Sequence, residues 1–151
     1  MHGLLRGLLL SLCLLPVWAT ADEVIENFVV SLQVQADGNL LVTEQITVLA
    51  EGEQIKRGIY RDLPLSYALP MGLRQNSPIS LLGVTRNGQP ESFNSEDNGT
   101  WVRYYIGSAE HLLQPGRYQY ELRYQVARQL LHHTDKDELY WNVTGNGWIF
   151  P

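Results

Sequence analysis

The run from Gly116 to Val126 alternates without a slip. Tyr118, Tyr120, Leu122, Tyr124 and Val126 fall on one side, and Arg117, Gln119, Glu121, Arg123 and Gln125 on the other. Side chains of an extended chain point to opposite faces with period two, so this is a strand with one buried face and one wet face. After it come an acidic turn, Asp135-Lys136-Asp137-Glu138, and a short aromatic strand, Leu139 to Val143. A small-residue turn, Thr144 to Gly147, then leads to Trp148.

Other segments share the period. Phe28, Val30, Leu32 and Val34 alternate with polar residues, Ala36-Asp37-Gly38-Asn39 makes a turn, and Leu40, Val42, Ile46 and Val48 form the return strand of a β-hairpin. Glu44 interrupts the apolar row of that return strand. It lies either at a frayed edge or against an arginine. Glu51 to Ser77 reads as a long irregular segment, of a length often tied to function. Ile79 to Arg86 is a strand closed by Asn87-Gly88, a strong hairpin signal, and Glu91-Ser92-Phe93 begins the return. Asn94 to Thr100 reads as a polar loop, and Trp101 to Ile106 as a strand. No stretch has helical periodicity. The expected fold is all-β, an antiparallel β-sandwich of immunoglobulin-like outline, with a small barrel as the alternative.

Residues 1–21 stand outside the fold. Met1 to Arg6 is a basic start, Gly7 to Leu15 an apolar core broken by Pro16, and Ala19-Thr20-Ala21 a small-x-small cleavage signature ending at Ala21. The apolar run is shorter than the roughly 20 residues a membrane span needs. A secretory signal peptide is expected, with an uncleaved signal anchor as the alternative. Cleavage would remove Cys13, the single cysteine, so the exported domain would rely on its hydrophobic core. Taking Arg6 from eleven Lys and Arg leaves ten against sixteen Asp and Glu, a net charge near −6. The basic residues are scattered, which argues against nucleic acid and anionic lipid as partners. Trp148-Ile149-Phe150 resembles the start of a further strand. Residues 22–151 are therefore read as a β-sandwich domain truncated at its C-terminal end, from a longer protein or a fragmentary reading frame.

The residues also carry a family resemblance, from about Glu26 to Pro151. It rests on Asp37-Gly38 followed by Val42-x-Glu44, on Arg57-Gly58-Ile59-Tyr60-Arg61-Asp62-Leu63-Pro64, and on Tyr105-Ile106-Gly107. It continues in Gly116-x-Tyr118-x-Tyr120-x-x-x-Tyr124 and in Asp137-Glu138-Leu139-Tyr140-Trp141-Asn142-x-x-Gly145-x-x-Trp148. As an ordered set these resemble the N-terminal region of the DUF2207 family, predicted bacterial membrane proteins of uncharacterised function. The resemblance implies an exported β-rich domain, periplasmic or at the cell surface. In full-length members, further extracytoplasmic sequence and transmembrane helices near the C-terminus would follow it. It brings no catalytic residues.

Arg57 and Arg61 lie four apart. They either grip a carboxylate or phosphate, or pin the long segment to Asp135, Asp137 and Glu138 or to Asp62. Asp135, Asp137 and Glu138 offer oxygens to calcium, but the spacing lacks the glycine and distal glutamate of a calcium loop, which favours a solvated turn. His132 and His133 are adjacent, and His111 is distant; neighbours in an extended segment face opposite ways, which disfavours zinc. No serine sits in a nucleophile elbow. Among the aromatic residues, the alternating tyrosines suit the interior, and Tyr105 and Trp141 are the better surface candidates.

The expected function is therefore a non-catalytic extracytoplasmic interaction or sensing module without a cofactor. Its partner would be an envelope or membrane protein, and downstream helices would anchor it. Arg57, Gly58, Arg61, Asp62, Asp137, Glu138, Tyr140, Trp141, Asn142, Gly145 and Trp148 would form a structural corner or contact face. The alternative is an envelope enzyme or a calcium- or zinc-dependent binding domain using Asp135, Asp137, Glu138 and a histidine.

Overall fold

The computed structural model describes residues 23–68, 70–139 and 141. The alternating runs become β1 (Val24–Val34) and β2 (Leu40–Ala50). Then come β3 (Gly58–Pro64), β4 (Ser66–Ala68), a 3-10 turn at Pro70–Gly72, and β5 (Arg74–Asn76). The middle of the chain gives β6 (Ile79–Arg86), β7 (Gln89–Pro90), β8 (Phe93–Asp97) and β9 (Trp101–Gly107). The described part closes with β10 (Gly116–Val126), β11 (Leu130–His132) and β12 (Asp137–Leu139).

All pairings are antiparallel. A five-stranded sheet has the order β1-β2-β10-β6-β7, and a three-stranded sheet the order β3-β9-β8. Two small hairpins, β4-β5 and β11-β12, complete the described fold. The two larger sheets stay open and pack as a sandwich, so the barrel alternative is excluded.

Alternation decides which side chains fill the space between the sheets. Leu40, Val42, Ile46, Val48 and Ala50 of β2 are fully buried, as are Tyr120, Leu122, Tyr124 and Val126 of β10. Ile59 and Leu63 of β3 and Val102, Tyr104 and Ile106 of β9 face them from the small sheet. Each large apolar side chain removed from water contributes about 1.5–3 kcal/mol. The strand that alternates most cleanly in sequence is central: β10 pairs with β2 on one side and β6 on the other. In β6 a bulge opposite Arg123 and Tyr124 turns Leu82 outward, where it is more than half exposed. That keeps Leu81 and Val84 packed on the core.

The structure corrects two expectations. The segment from Glu51 to Ser77 is largely ordered as β3, β4 and β5, and β3 is a full member of the second sheet. Its apolar row is Ile59-x-x-x-Leu63 with Arg61 between them, so the charged residue hid the period. Asn94 to Thr100 contains most of β8, a wholly exposed edge strand. The polar sequence Phe93-Asn94-Ser95-Glu96-Asp97 is held by its ladder with β9, without an apolar row of its own. Near the end of the described chain, β12 starts at Asp137, two residues before the expected strand.

Candidate interaction face

Arg61 and Glu44 define the interior side of the site. Both are buried, and the Arg61 Nε and Nη2 groups donate to the two Glu44 carboxylate oxygens, each at 2.8 Å. The Tyr124 hydroxyl donates to the same carboxylate at 2.6 Å, and the guanidinium lies over the Phe28 ring, 5.5 Å from its centroid. Burial pulls the Arg61 guanidinium down, but the hydrogen bonds and charge of Glu44 hold it above its ordinary value. Burial, with Glu44 beside it, pushes the Tyr124 phenol far up. Glu44 is thus paired with an arginine rather than frayed at an edge. The Arg61 fork is turned into the core toward Glu44, and its Nη1 also donates to the Asp62 carbonyl at 3.3 Å.

Period two sends the next residues outward. Asp62 receives Arg103 in a bidentate pair, Nε to Oδ1 at 2.6 Å and Nη2 to Oδ2 at 2.7 Å. The Asp62 hydrogen bonds hold the Arg103 guanidinium well above its ordinary value, against some opposing burial. In the ladder Tyr60 is opposite Tyr105 and Pro64 opposite Trp101, so three rings surround this guanidinium. Arg103 lies 4.3 Å from the Tyr60 centroid, 5.4 Å from Trp101 and 5.9 Å from Tyr105. The Tyr105 hydroxyl donates to Glu96 of β8 at 3.0 Å. The outer side of the small sheet is a patch of Tyr, Trp and Arg braced by carboxylates, a composition enriched at protein interfaces.

Beside this patch is a shallow groove of about 570 Å³. Tyr60, Tyr105, Asn94 and Glu96 border it on one side, and Gln54, Lys56, Arg57 and Ser108 on the other. Gly58 and Gly107 lie in the groove lining and face each other in register, both with positive φ (144° and 128°). A Cβ on Gly58 would overlap the Ile106 carbonyl oxygen, and one on Gly107 the Arg57 carbonyl oxygen. Only glycine allows this approach. Arg57 donates from Nε to the Ala109 carbonyl at 2.9 Å and is exposed beside Lys56. A second hollow, about 670 Å³, lies among Asp37, Gly38, Asn39, Arg74, Gln75, Asn76, Arg128 and Leu130, and has no aromatic ring.

Of the residues expected to form one corner, Arg57, Gly58 and Asp62 lie on or beside this face, while Arg61 turns into the core. Asp137 and Glu138 belong to the β11-β12 hairpin, where the Glu138 Oε2 lies 3.2 Å from the His133 Nε2. Trp141 packs on the core 6.3 Å from Tyr124, so it is not a surface candidate; Tyr105, 38% exposed, is. Ala21, Tyr140, Asn142, Gly145 and Trp148 lie outside the described residues. Among the described residues, no group of three or more His, Cys, Asp or Glu could hold a metal ion. Sequence reasoning missed Tyr60 and Arg103. Tyr60 lies in the segment read as irregular, and the signal for Arg103 was its place between Trp101 and Tyr105 on the outward row of the expected strand Trp101 to Ile106.

Residues 24–151 match the family described as the predicted membrane protein (DUF2207) N-terminal domain. The chain is 38% identical over 129 residues to the uncharacterized protein YciQ of Escherichia coli (strain K12), covering 85% of this chain and 20% of that protein. It therefore spans about a fifth of that relative's length. No solved structure matches. No helix among the described residues is long and apolar enough to cross a membrane. Through the ordered strands and the match over nearly all of them, the chain belongs to the DUF2207 family of predicted membrane proteins, in their N-terminal domain.

Proposed function

We propose that this domain is a non-catalytic extracytoplasmic interaction module of a larger membrane protein. In this reading its partner docks on the outer face of the three-stranded sheet. The observation that carries the reading is Arg103 set among Tyr60, Trp101 and Tyr105 on a solvent-facing strand surface. Interfaces draw their affinity from a few such residues, because rings offer large contact areas with little rotamer entropy to lose, and the Arg103 guanidinium is already held by Asp62. The basic start, apolar core and Ala21 cleavage signature support export, and the family supports a membrane setting.

The test is site-specific photocrosslinking in cells that produce the full-length protein. A crosslinker at Tyr105 should give a discrete adduct, and one at Arg123, on the outer face of the other sheet, should not. Adducts of equal yield at both positions, or none at Tyr105, would remove the face from the proposal.

A further inference from the structure

The Glu23 carboxylate is held by the backbone of a single loop. Its Oε1 accepts N–H bonds from Glu51 (3.0 Å), Gly52 (3.0 Å), Glu53 (3.1 Å) and Ile55 (3.1 Å). Its Oε2 accepts from Gln54 (2.6 Å) and again from Ile55 (3.0 Å). Five consecutive amides thus converge on one anion, and Glu23 is only 7% exposed. Gly52, at φ 83°, supplies the left-handed step that bends the amides inward. Such concave runs of N–H groups are anion sites, formed by backbone dipoles rather than side-chain charge. Among the described residues no lysine, arginine or histidine pairs with Glu23. The loop itself carries Glu51 and Glu53, so the amides alone account for the attraction. Burial pushes the carboxyl up, but the bonds from Glu51, Gln54, Ile55 and Glu53 outweigh it and hold the group below its ordinary value.

The ligand sits at a detachable end. Glu23 precedes the first residue of β1, an edge strand, and a bulge at Glu26 separates Val24 and Ile25 from the regular ladder that starts at Asn27. Two ladder pairs, the packing of Ile25 against the core and the nest hold this end, and the Glu26–Arg117 pair ties the chain to β10 at the bulge, so an opening that stops there leaves Asn27 to Val34 paired. The same loop leads into Lys56 and Arg57 at the rim of the groove.

We infer that the Glu51–Ile55 loop is a carboxylate-binding site whose resident ligand is Glu23, and that it accepts a carboxylate from another molecule when the end of β1 opens. The class of ligand is a carboxylate on an acidic side chain, a peptide terminus or a small acid. Recognition needs five N–H donors and a shape that admits one planar oxyanion. The inference does not depend on the outer face of the small sheet.

The test uses the full chain, with acetate as the probe and chloride at equal ionic strength as the control. In the Glu23→Ala variant, amide exchange at Glu51 to Ile55 should quicken by roughly tenfold or more, while the β2 and β10 amides keep their protection. Acetate should slow the loop amides again in a saturable way, and chloride should not. The wild type should respond only at much higher acetate concentration, because Glu23 competes from within the chain. Loop amides that stay protected in Glu23→Ala would overturn the inference, and so would equal effects of acetate and chloride. Should Glu23→Ala fail to fold, Glu23→Gln keeps the shape without the charge. Wild-type exchange at the loop in that variant would equally overturn it.

Discussion

Arg61 of the small sheet and Glu44 of the large one meet fork to fork across the sandwich, both arms at 2.8 Å, with neither side chain more than 1% exposed. Taking either charge out of water is costly, and the bidentate geometry with the Tyr124 donor is what offsets it. The pair also fixes how the sheets align, because a slip of one residue in β3 would turn Arg61 toward solvent and leave Glu44 unpaired.

Arg61→Ala should destabilise the domain by about 3–5 kcal/mol, since it leaves a buried carboxylate with one donor. Replacing both partners by apolar residues, Arg61→Met with Glu44→Leu, should recover most of that loss. Urea denaturation of the single and double variants checks both. A double variant as unstable as Arg61→Ala would show that the alignment, rather than the unpaired charge, is what was lost.

Tyr124→Phe removes only the hydroxyl that donates to Glu44 at 2.6 Å. Hydrogen bonds to charged groups contribute about 1.5–3 kcal/mol, and a loss in that range is expected by urea denaturation. In a chain already carrying Glu44→Leu the same change should be nearly neutral, because the hydroxyl then has no carboxylate to meet.

Gly58→Ala should cost about 1–3 kcal/mol for its backbone conformation alone, and more for the overlap with the Ile106 carbonyl. Gly52→Ala provides the contrast: its φ is also positive, but nothing lies within 4 Å of the added methyl. Thermal melts should therefore rank Gly58→Ala well below Gly52→Ala.

Acid should remove the contribution of the nest to stability. The Glu23 pKa is depressed in the folded state, so its contribution is fully present above the ordinary value of 4.5 and is lost as pH falls through the lower folded value. Stability of the wild type should drop across that acidic window more steeply than that of Glu23→Gln, which has no charge to lose there. Melting midpoints at a series of pH values between neutral and acid measure the difference.

Arg103→Ala should change stability little, by about 0–1 kcal/mol, because its pair with Asp62 is partly exposed on both sides. Its effect belongs to binding: the adduct expected from a crosslinker at Tyr105 should weaken without a matching fall in melting midpoint.

The large sheet was legible in sequence because β1, β2 and β10 carry apolar rows at period two and β6 ends in the Asn87-Gly88 turn. The small sheet was hidden in both its outer strands. In β3 the row is broken by Arg61, whose partner Glu44 breaks the row of β2 in the large sheet. Each break looks like an irregularity on its own strand, and they are one feature only when the strands face each other. In β8 there is no row to read, since an exposed edge needs only backbone partners. The candidate face was half visible: Arg57, Gly58 and Asp62 were singled out together, but the rings around Arg103 meet through the register of β3 with β9, which local patterns do not encode. The nest was invisible for a related reason, as its five donors are main-chain groups and its acceptor lies about thirty residues upstream.

The openness of both sheets sets how a weakened domain would misassemble. β8 presents Glu96 and Asp97 along its edge, acids that repel a second copy. β1 presents Val29 and Val34, each about half exposed, on a strand of eleven residues whose only irregularity is at Glu26. Once its first residues come loose, the remainder of β1 is a long, flat template for strand addition. Self-association of destabilised variants will therefore start there, and a lysine at Val29 would suppress it without touching the core.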